Sequence, residues 1–182
     1  MKRHMEFSFL LLLLAMISES AIAQELTFPQ ESSIPEWVAP AFKQSGLSNR
    51  YVFSSRLNPF YQRGDFDGDG KQDFAIWIRE LNSNKIGIAI LHRRTEKVSI
   101  IGAGNMIVDR TGKALWARSD GGDSFDYIDA WYVYEKGKVE QGVEEGSPPI
   151  LKGDALMLIK TESASGLIYW TGKRYAWYQQ GD

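Results

Sequence analysis

GDFDGDGKQDFAIWIREL, residues 64 to 81, joins an acidic, glycine-spaced segment directly to an apolar one. In the apolar part both alternating sets of side chains are hydrophobic: Phe74, Ile76 and Ile78 form one set, and Ala75 and Trp77 form the other. This pattern is typical of a strand at the centre of a sheet that is covered on both faces. The sequence therefore predicts a buried strand that begins immediately after a cluster of carboxylates.

Outward from this segment, the chain consists mostly of short runs rich in β-branched and aromatic residues, bounded by Gly, Asn, Asp or Pro, which is typical of strands. The segments 82–85 and 171–173 each join two such runs, and their Asn and Gly residues tolerate the positive φ angles of hairpin turns. Residues 102–124 and 141–153 have the Gly, Asp and Pro content of longer loops. The predicted strands are 51–57, 74–81, 86–92, 97–101, 125–134, 155–160, 166–170 and 174–178.

A short or kinked helix is predicted over residues 32–47, where apolar residues recur at helical spacing around Pro40. The fold class expected from these patterns is mainly β. We expect an antiparallel meander that forms a compact barrel-like or sandwich-like sheet, or a partial propeller, with a short N-terminal helix.

The N-terminus has the layout of a cleavable signal peptide: Lys2 and Arg3, an apolar run, and then Ala21-Ile22-Ala23. We therefore expect a signal peptide over residues 1–23 and a single β-rich domain over residues 24–182 that is periplasmic or secreted. No later apolar run is long enough to span a membrane. The chain has a net charge of −2 and no cysteine, so nothing favours a nucleic-acid partner or disulfide bridges, and stability must come from the core or from a metal.

Four aspartates lie within nine positions of the acidic segment. Carboxylates this close repel one another and raise one another's pKa unless a cation compensates them. The alternate positions can turn inward around one ion, with Gly70 at the sharp reversal, and Ca²⁺ accepts six to eight oxygen ligands from such a loop. The predicted ligands in the loop 65–73 are the side chains of Asp65, Asp67, Asp69 and Asp73 and the backbone carbonyl of Lys71.

An EF-hand begins in the same way, but it needs a Glu at loop position twelve and a helix on each side. Position twelve is Ile76 here, and Pro59 and Gly64 precede the loop instead of a helical pattern. Mg²⁺ fits less well because it demands tight octahedral geometry, and zinc has little support because the predicted mature chain has one histidine. The pattern favours a calcium loop between strands.

GDFDGDGKQDFAIWI resembles the calcium-binding segment of FG-GAP and VCBS-type repeats, the units of integrin-like β-propellers. The resemblance implies an ion held by loop positions one, three, five and nine and by the carbonyl at position seven, which are the five residues given above. It covers roughly residues 60–80. The wider chain, including residues 151–160 and 163–182, is similar to small exported bacterial proteins of unassigned function. With a single loop of this type, a complete propeller of four or more blades is not expected.

A second acidic group, Asp120, Asp123, Asp126 and Asp129, has a spacing that suits a single ion loop less well. It is a candidate for loop capping, for a second ion, or for the paired carboxylates of a glycoside hydrolase. A serine triad is disfavoured because His92, the only histidine of the predicted mature chain, lies upstream of Ser124 and reads most simply as a strand-end residue. Aromatic residues over 169–178 are either a sugar-stacking platform or part of the core.

These patterns favour an exported calcium-binding β module with a structural or macromolecule-binding role at the cell envelope, without catalysis. Its partner would be an envelope protein or a glycan. The alternative is a glycan-acting hydrolase or a carbohydrate-binding module that uses the acidic and aromatic segment 120–131.

Overall fold

The computed structural model describes residues 28–117, 121–144 and 146–181. The predicted signal peptide, residues 1–23, lies outside the described residues. The helical elements are α1 (Phe28–Glu31), α2 (Val38–Gln44) and a 3₁₀ turn at Leu47–Asn49. The strands are β1 (Tyr51–Phe53), β2 (Tyr61–Gly64), β3 (Asp73–Glu80), β4 (Ile86–Leu91), β5 (Val98–Gly102), β6 (Ala130–Tyr134), β7 (Gly137–Lys138), β8 (Ile150–Leu151), β9 (Ala155–Lys160), β10 (Ala164–Trp170) and β11 (Tyr175–Gly181).

The first sheet has five strands and is centred on β3. Its order is β1-β3-β4-β5, and β2 also pairs with β3. All of these pairings are antiparallel. Every residue of β3 is buried, which confirms the prediction of a central strand covered on both faces.

The second sheet has four antiparallel strands in the order β11-β10-β9-β6, and a small two-stranded sheet pairs β7 with β8. Neither of the two larger sheets, as described, closes on itself. The prediction of a mainly β, antiparallel fold with a short N-terminal helix is confirmed, and the arrangement is sandwich-like.

The main hydrophobic core lies between the two larger sheets. Trp77 of β3 and Ile88 of β4 pack in one cluster with Leu158 of β9 and Trp177 of β11. A second cluster covers the other face of the first sheet, where Phe42 of α2 packs with residues of β3 and β4. Both faces of β3 are apolar in sequence because each face belongs to a different core.

Some local predictions differ from the structure. The predicted strand 51–57 is shorter, since β1 ends at Phe53. The predicted strand 125–134 is shorter, since Ile128 N donates to Phe125 O in a turn and the strand begins only at Ala130. Strand β2 was not predicted, because Tyr-Gln-Arg-Gly has no apolar alternation. The helix predicted over 32–47 is confined to Val38–Gln44, where Pro40 falls in the first turn and loses no helical hydrogen bond.

Among the described residues, no helix has the length and apolar character needed to cross a membrane.

Candidate metal centre

The acidic loop connects β2 to β3. Gly64 pairs with Asp73 at the base of this antiparallel pair, so residues 65–72 form the connection. The loop is anchored at its start, because Phe66 is buried in the core between the sheets. The carboxylates that flank Phe66 are therefore held against the body of the protein.

The loop also contacts the segment that leads into β9 of the second sheet. Asp65 N donates to Asp154 Oδ2 at 2.9 Å, and Asp154 N donates to Asp65 O at 2.7 Å. The contact is tight: a Cβ added at Gly153 would lie 2.3 Å from Asp65 O and 2.5 Å from Gly68 N. The predicted metal loop thus links the two sheets.

Three of the predicted ligands converge. Asp65, Asp67 and Asp69 each offer a carboxylate oxygen within 4.8 Å of the others. Their other contacts shape the loop: Asp67 Oδ1 accepts from Asp69 N at 3.1 Å, and Asp65 Oδ2 accepts from Gly70 N at 3.1 Å. Gly70 has φ +83°, the left-handed conformation expected at the reversal.

One oxygen of this group has no protein partner. Asp65 Oδ1 is buried, and no donor among the described residues forms a hydrogen bond with it. A buried, unpaired carboxylate oxygen is costly in free energy. A cation coordinated by the three converging carboxylates would remove that cost, so these residues fit a hard divalent ion.

Asp73 and Lys71 are placed differently. The Asp73 side chain is fully buried, and its Oδ2 and Oδ1 accept from Phe66 N at 3.1 Å and Arg93 N at 2.8 Å. Asp73 thus closes the loop through backbone amides. It offers a ligand atom within 4.8 Å of those of Asp67 and His92, and it does not belong to the group formed by Asp65, Asp67 and Asp69. Lys71 is exposed, and its amide donates to Asp69 Oδ1 at 2.8 Å.

The structure also brings in His92, which the sequence analysis assigned only to a strand end. Phe74 pairs with Leu91 across β3 and β4, so His92 follows β4 directly opposite Asp73. His92 Nδ1 lies 3.1 Å from Asp67 Oδ2 and 3.4 Å from Asp73 Oδ2. The sequence predicted a hairpin between the strands 74–81 and 86–92. The antiparallel pairing of that hairpin brings residue 92 near residue 73, so the proximity of His92 to the loop could have been predicted.

Nearby cations compensate part of the negative charge. Arg94 Nε donates to Asp69 Oδ2 at 2.5 Å, and Lys136 Nζ lies 3.8 Å from Asp65 Oδ2. Burial acts to raise the pKa of Asp69, but hydrogen bonds from Arg94 and the Lys71 amide outweigh it and leave that pKa below its usual value. The pKa of Asp67 is raised, first by burial and then by the charge of Asp73. The folded structure therefore disfavours the ionised form of Asp67.

The second acidic group does not form a comparable cluster. Asp120 lies outside the described residues. The buried Asp123 carboxylate pairs with Lys85 Nζ at 2.6 and 2.7 Å. Asp126 and Asp129 are exposed. Among the residues with described positions, the metal-capable groups of three or more side chains are confined to the acidic loop and His92.

Asp129 caps a hairpin of the second sheet. Its Oδ1 accepts from Thr161 N at 2.9 Å and from Thr161 Oγ1 at 2.6 Å. These bonds hold the pKa of Asp129 below its usual value. This is the loop-capping arrangement considered from the sequence.

A cleft of about 630 Å³ opens beside the second sheet. None of Asp123, Asp126 and Asp129 lines it. Tyr127 lines the cleft, and burial together with the charge of the neighbouring Asp126 raises its pKa to about 12. Residues that line the cleft include the aromatic Trp116, Tyr127 and Trp177 and the acidic Asp109 and Glu144.

The aromatic residues of the last hairpin are not an exposed platform. Tyr169, Tyr175, Trp177 and Tyr178 are buried, and Trp170 is half-buried. Of the two possibilities for this segment, its rings belong to the core.

Comparison of the chain with protein-family models, with curated proteins and with solved structures finds no match.

Proposed function

We propose that this chain is an exported calcium-binding β module with a structural or macromolecule-binding role at the cell envelope. The ion is held by the loop 65–73. The observation that carries the proposal is Asp65 Oδ1, a buried carboxylate oxygen that accepts no hydrogen bond from the described part of the chain, in a loop where three carboxylates converge.

Calcium is preferred because of the donor set and the form of the site. Asp65, Asp67 and Asp69 offer only oxygen ligands, which hard cations select. Calcium accepts a high and variable coordination number, so it tolerates a loop whose carboxylates also accept backbone amides. The FG-GAP and VCBS resemblance supports the same ion.

The position of the loop supports the structural role. Two hydrogen bonds join Asp65 to Asp154, which directly precedes β9 of the second sheet: the Asp65 amide donates to the Asp154 carboxylate, and the Asp154 amide donates to the Asp65 carbonyl. An ion that fixes Asp65 therefore also fixes the contact between the sheets. If Kd lies at 10⁻⁴ to 10⁻³ M, as in extracellular modules, 1 mM Ca²⁺ stabilises the fold by about 0.4 to 1.4 kcal/mol through mass action.

The proposed export rests on the signal-peptide pattern of residues 1–23. Outside the cytosol, free calcium can reach the concentrations at which a loop of this affinity fills. The absence of cysteine is consistent with an ion taking part of the stabilising role that disulfides have in many exported domains.

Calcium titration by isothermal calorimetry tests the proposal. The purified protein is expected to bind one Ca²⁺ at the loop, and Asp65→Asn should weaken binding at least tenfold. Asp126→Asn is the matched control, because it removes the same charge from an exposed aspartate outside the loop. Absence of calcium binding in the wild type, or equal weakening by both variants, would contradict the proposal.

A second candidate, glycan binding, is favoured by the cleft beside the second sheet. Trp116 and Tyr127 offer aromatic faces, while Glu144 and Asp109 place carboxylates among the lining residues. Aromatic faces with hydrogen-bond acceptors nearby are suited to the apolar faces and hydroxyl groups of sugars.

Binding of soluble envelope glycan fragments to immobilised protein tests this candidate. Tyr127→Ala should reduce binding, whereas Tyr132→Ala should not, because Tyr132 is also exposed but does not line the cleft. No binding by the wild type, or equal losses in both variants, would argue against it.

A further inference from the structure

His92 is a buried imidazole with one nitrogen that forms no hydrogen bond. The residue is 4 % exposed, and Nδ1 has no hydrogen-bond partner among the described residues. The same nitrogen lies 3.1 Å from Asp67 Oδ2 and 3.4 Å from Asp73 Oδ2, without the angular geometry of a hydrogen bond. A buried nitrogen that approaches two carboxylates in this way has the position of a ligand.

We propose that Asp67, Asp73 and His92 form a second divalent-cation site that takes a first-row transition ion such as Zn²⁺. This site goes beyond the proposed function, because it does not require the loop to bind calcium. It shares one residue, Asp67, with the converging carboxylates of that loop.

The donor set separates the two sites chemically. Ca²⁺ takes oxygen ligands, whereas imidazole nitrogen is a good ligand for zinc and other first-row transition ions. The group Asp67, Asp73 and His92 combines one nitrogen with two carboxylates, all within 4.8 Å of one another. Three protein ligands with one open position is a common arrangement for zinc.

The distances agree with an ion of this size. With metal–ligand bonds of ~2.1 Å, ligand atoms 3.1 and 3.4 Å apart subtend angles of roughly 95° and 108° at the ion. These angles lie within the range of tetrahedral and distorted tetrahedral sites. Small side-chain adjustments would therefore suffice to bring the three ligands onto one ion.

The opposite side of the imidazole is held by the second sheet. His92 Nε2 lies 3.4 Å from the Tyr175 hydroxyl, and the two rings stack at 5.8 Å between centroids with 16° between planes. Trp170 packs on the same ring at 5.9 Å. A partner on the second nitrogen is what orients a metal-binding histidine, and here it directs Nδ1 toward the carboxylates.

Asp67 can serve both sites because its two oxygens are used differently. Oδ1 accepts from the Asp69 amide inside the loop at 3.1 Å, and Oδ2 is the oxygen nearest His92. Asp73 Oδ1 accepts from the Arg93 amide, and Oδ2, which accepts from the Phe66 amide at 3.1 Å, is the oxygen on the histidine side.

Zinc titration in the presence of saturating Ca²⁺ tests the proposal. Any preparation that retains residues 1–23 should carry His4→Ala, so that His92 is its only histidine. One Zn²⁺ is expected to bind, and the His92 imidazole ¹⁵N resonance should shift on zinc addition. His92→Phe keeps an aromatic ring against Tyr175 and should weaken zinc binding at least tenfold, a larger loss than it causes in calcium binding.

Several outcomes overturn the second site. These are no zinc binding when calcium is bound, a one-for-one exchange of the two ions, or zinc binding of equal strength in His92→Phe. If His92→Phe does not fold, zinc binding is measured in His92→Gln, and the His92 imidazole ¹⁵N resonance of the wild type is followed on zinc addition. A resonance that zinc leaves unchanged overturns the proposal. Zinc binding that persists when no calcium binds would leave this site standing and remove the calcium function.

Discussion

The two acidic groups of the chain use the same residue type and end in opposite electrostatic states. In the loop 65–73 three carboxylates converge, Asp65 Oδ1 has no hydrogen-bond partner among the residues that the structure describes, and burial raises the pKa of Asp67. In the second group, Asp123 pairs with Lys85, and Asp129 is bonded to Thr161. Among the described residues, the carboxylates that converge closely enough to hold an ion belong to the first group.

Residue spacing explains much of this difference. Aspartates two positions apart, with glycines at the reversals, can direct their side chains into one turn. Aspartates three positions apart follow separate turns and reach separate partners. Acidic content alone therefore does not identify an ion site; convergence of oxygens and a missing partner do.

The largest expected effect is at the buried pair of the second group. Lys85→Met removes the cation beside the Asp123 carboxylate, which is 0 % exposed. Breaking a buried ion pair by removing one of its partners should cost about 3 to 5 kcal/mol of unfolding free energy. Chemical denaturation should show the same loss with Ca²⁺ and with chelator. A loss that appears only with Ca²⁺ would mean that the two groups are coupled.

The next effect is at the contact of the loop with the second sheet. Gly153→Ala would place a Cβ 2.3 Å from Asp65 O. Overpacking of this kind should cost about 1 to 3 kcal/mol, and it should also weaken calcium binding because it displaces Asp65.

Gly172→Ala is the control for Gly153→Ala, since a Cβ there meets nothing within 4 Å although its φ is +93°. It should lower stability through backbone strain and leave calcium affinity unchanged. Equal calcium affinities in the wild type, Gly153→Ala and Gly172→Ala would show that calcium binding does not depend on the contact between the sheets.

A smaller effect, of opposite sign, is expected at Asp67. Because its folded pKa is raised, ionised Asp67 destabilises the calcium-free fold at neutral pH. Asp67→Asn should therefore raise the unfolding midpoint slightly in chelator while it reduces the gain from calcium. The difference in chelator should vanish as the pH falls below the unfolded pKa of ~3.9, where Asp67 is protonated in both states. A lower midpoint for Asp67→Asn in chelator at neutral pH would contradict this account.

The sequence predicted the elements that have strong local signals. The doubly apolar run of β3, the hairpin to β4 and the acidic loop all follow from side-chain alternation, turn residues and spacing. Strand β2 was missed because its pairing with β3 is set by the loop that follows it and not by its own polar residues.

The rest of the site depends on contacts between distant segments. His92 reaches Asp73 through the β3–β4 register, and Asp154 reaches Asp65 across 89 positions. Asp73 fits the ligand spacing, yet its oxygens are bonded to the Phe66 and Arg93 amides. Residue spacing could indicate which carboxylates come near one another. It could not indicate which carboxylates already accept hydrogen bonds from backbone amides.

The central claim, that calcium in the loop 65–73 stabilises this fold, is tested most directly by thermal unfolding of the purified protein in 1 mM Ca²⁺ and in chelator. A gain of about 0.4 to 1.4 kcal/mol corresponds to a rise of roughly 1 to 6 °C in midpoint, and Asp65→Asn and Asp69→Asn should each reduce that rise. Identical midpoints in both conditions, with no metal in the purified protein, would contradict the account.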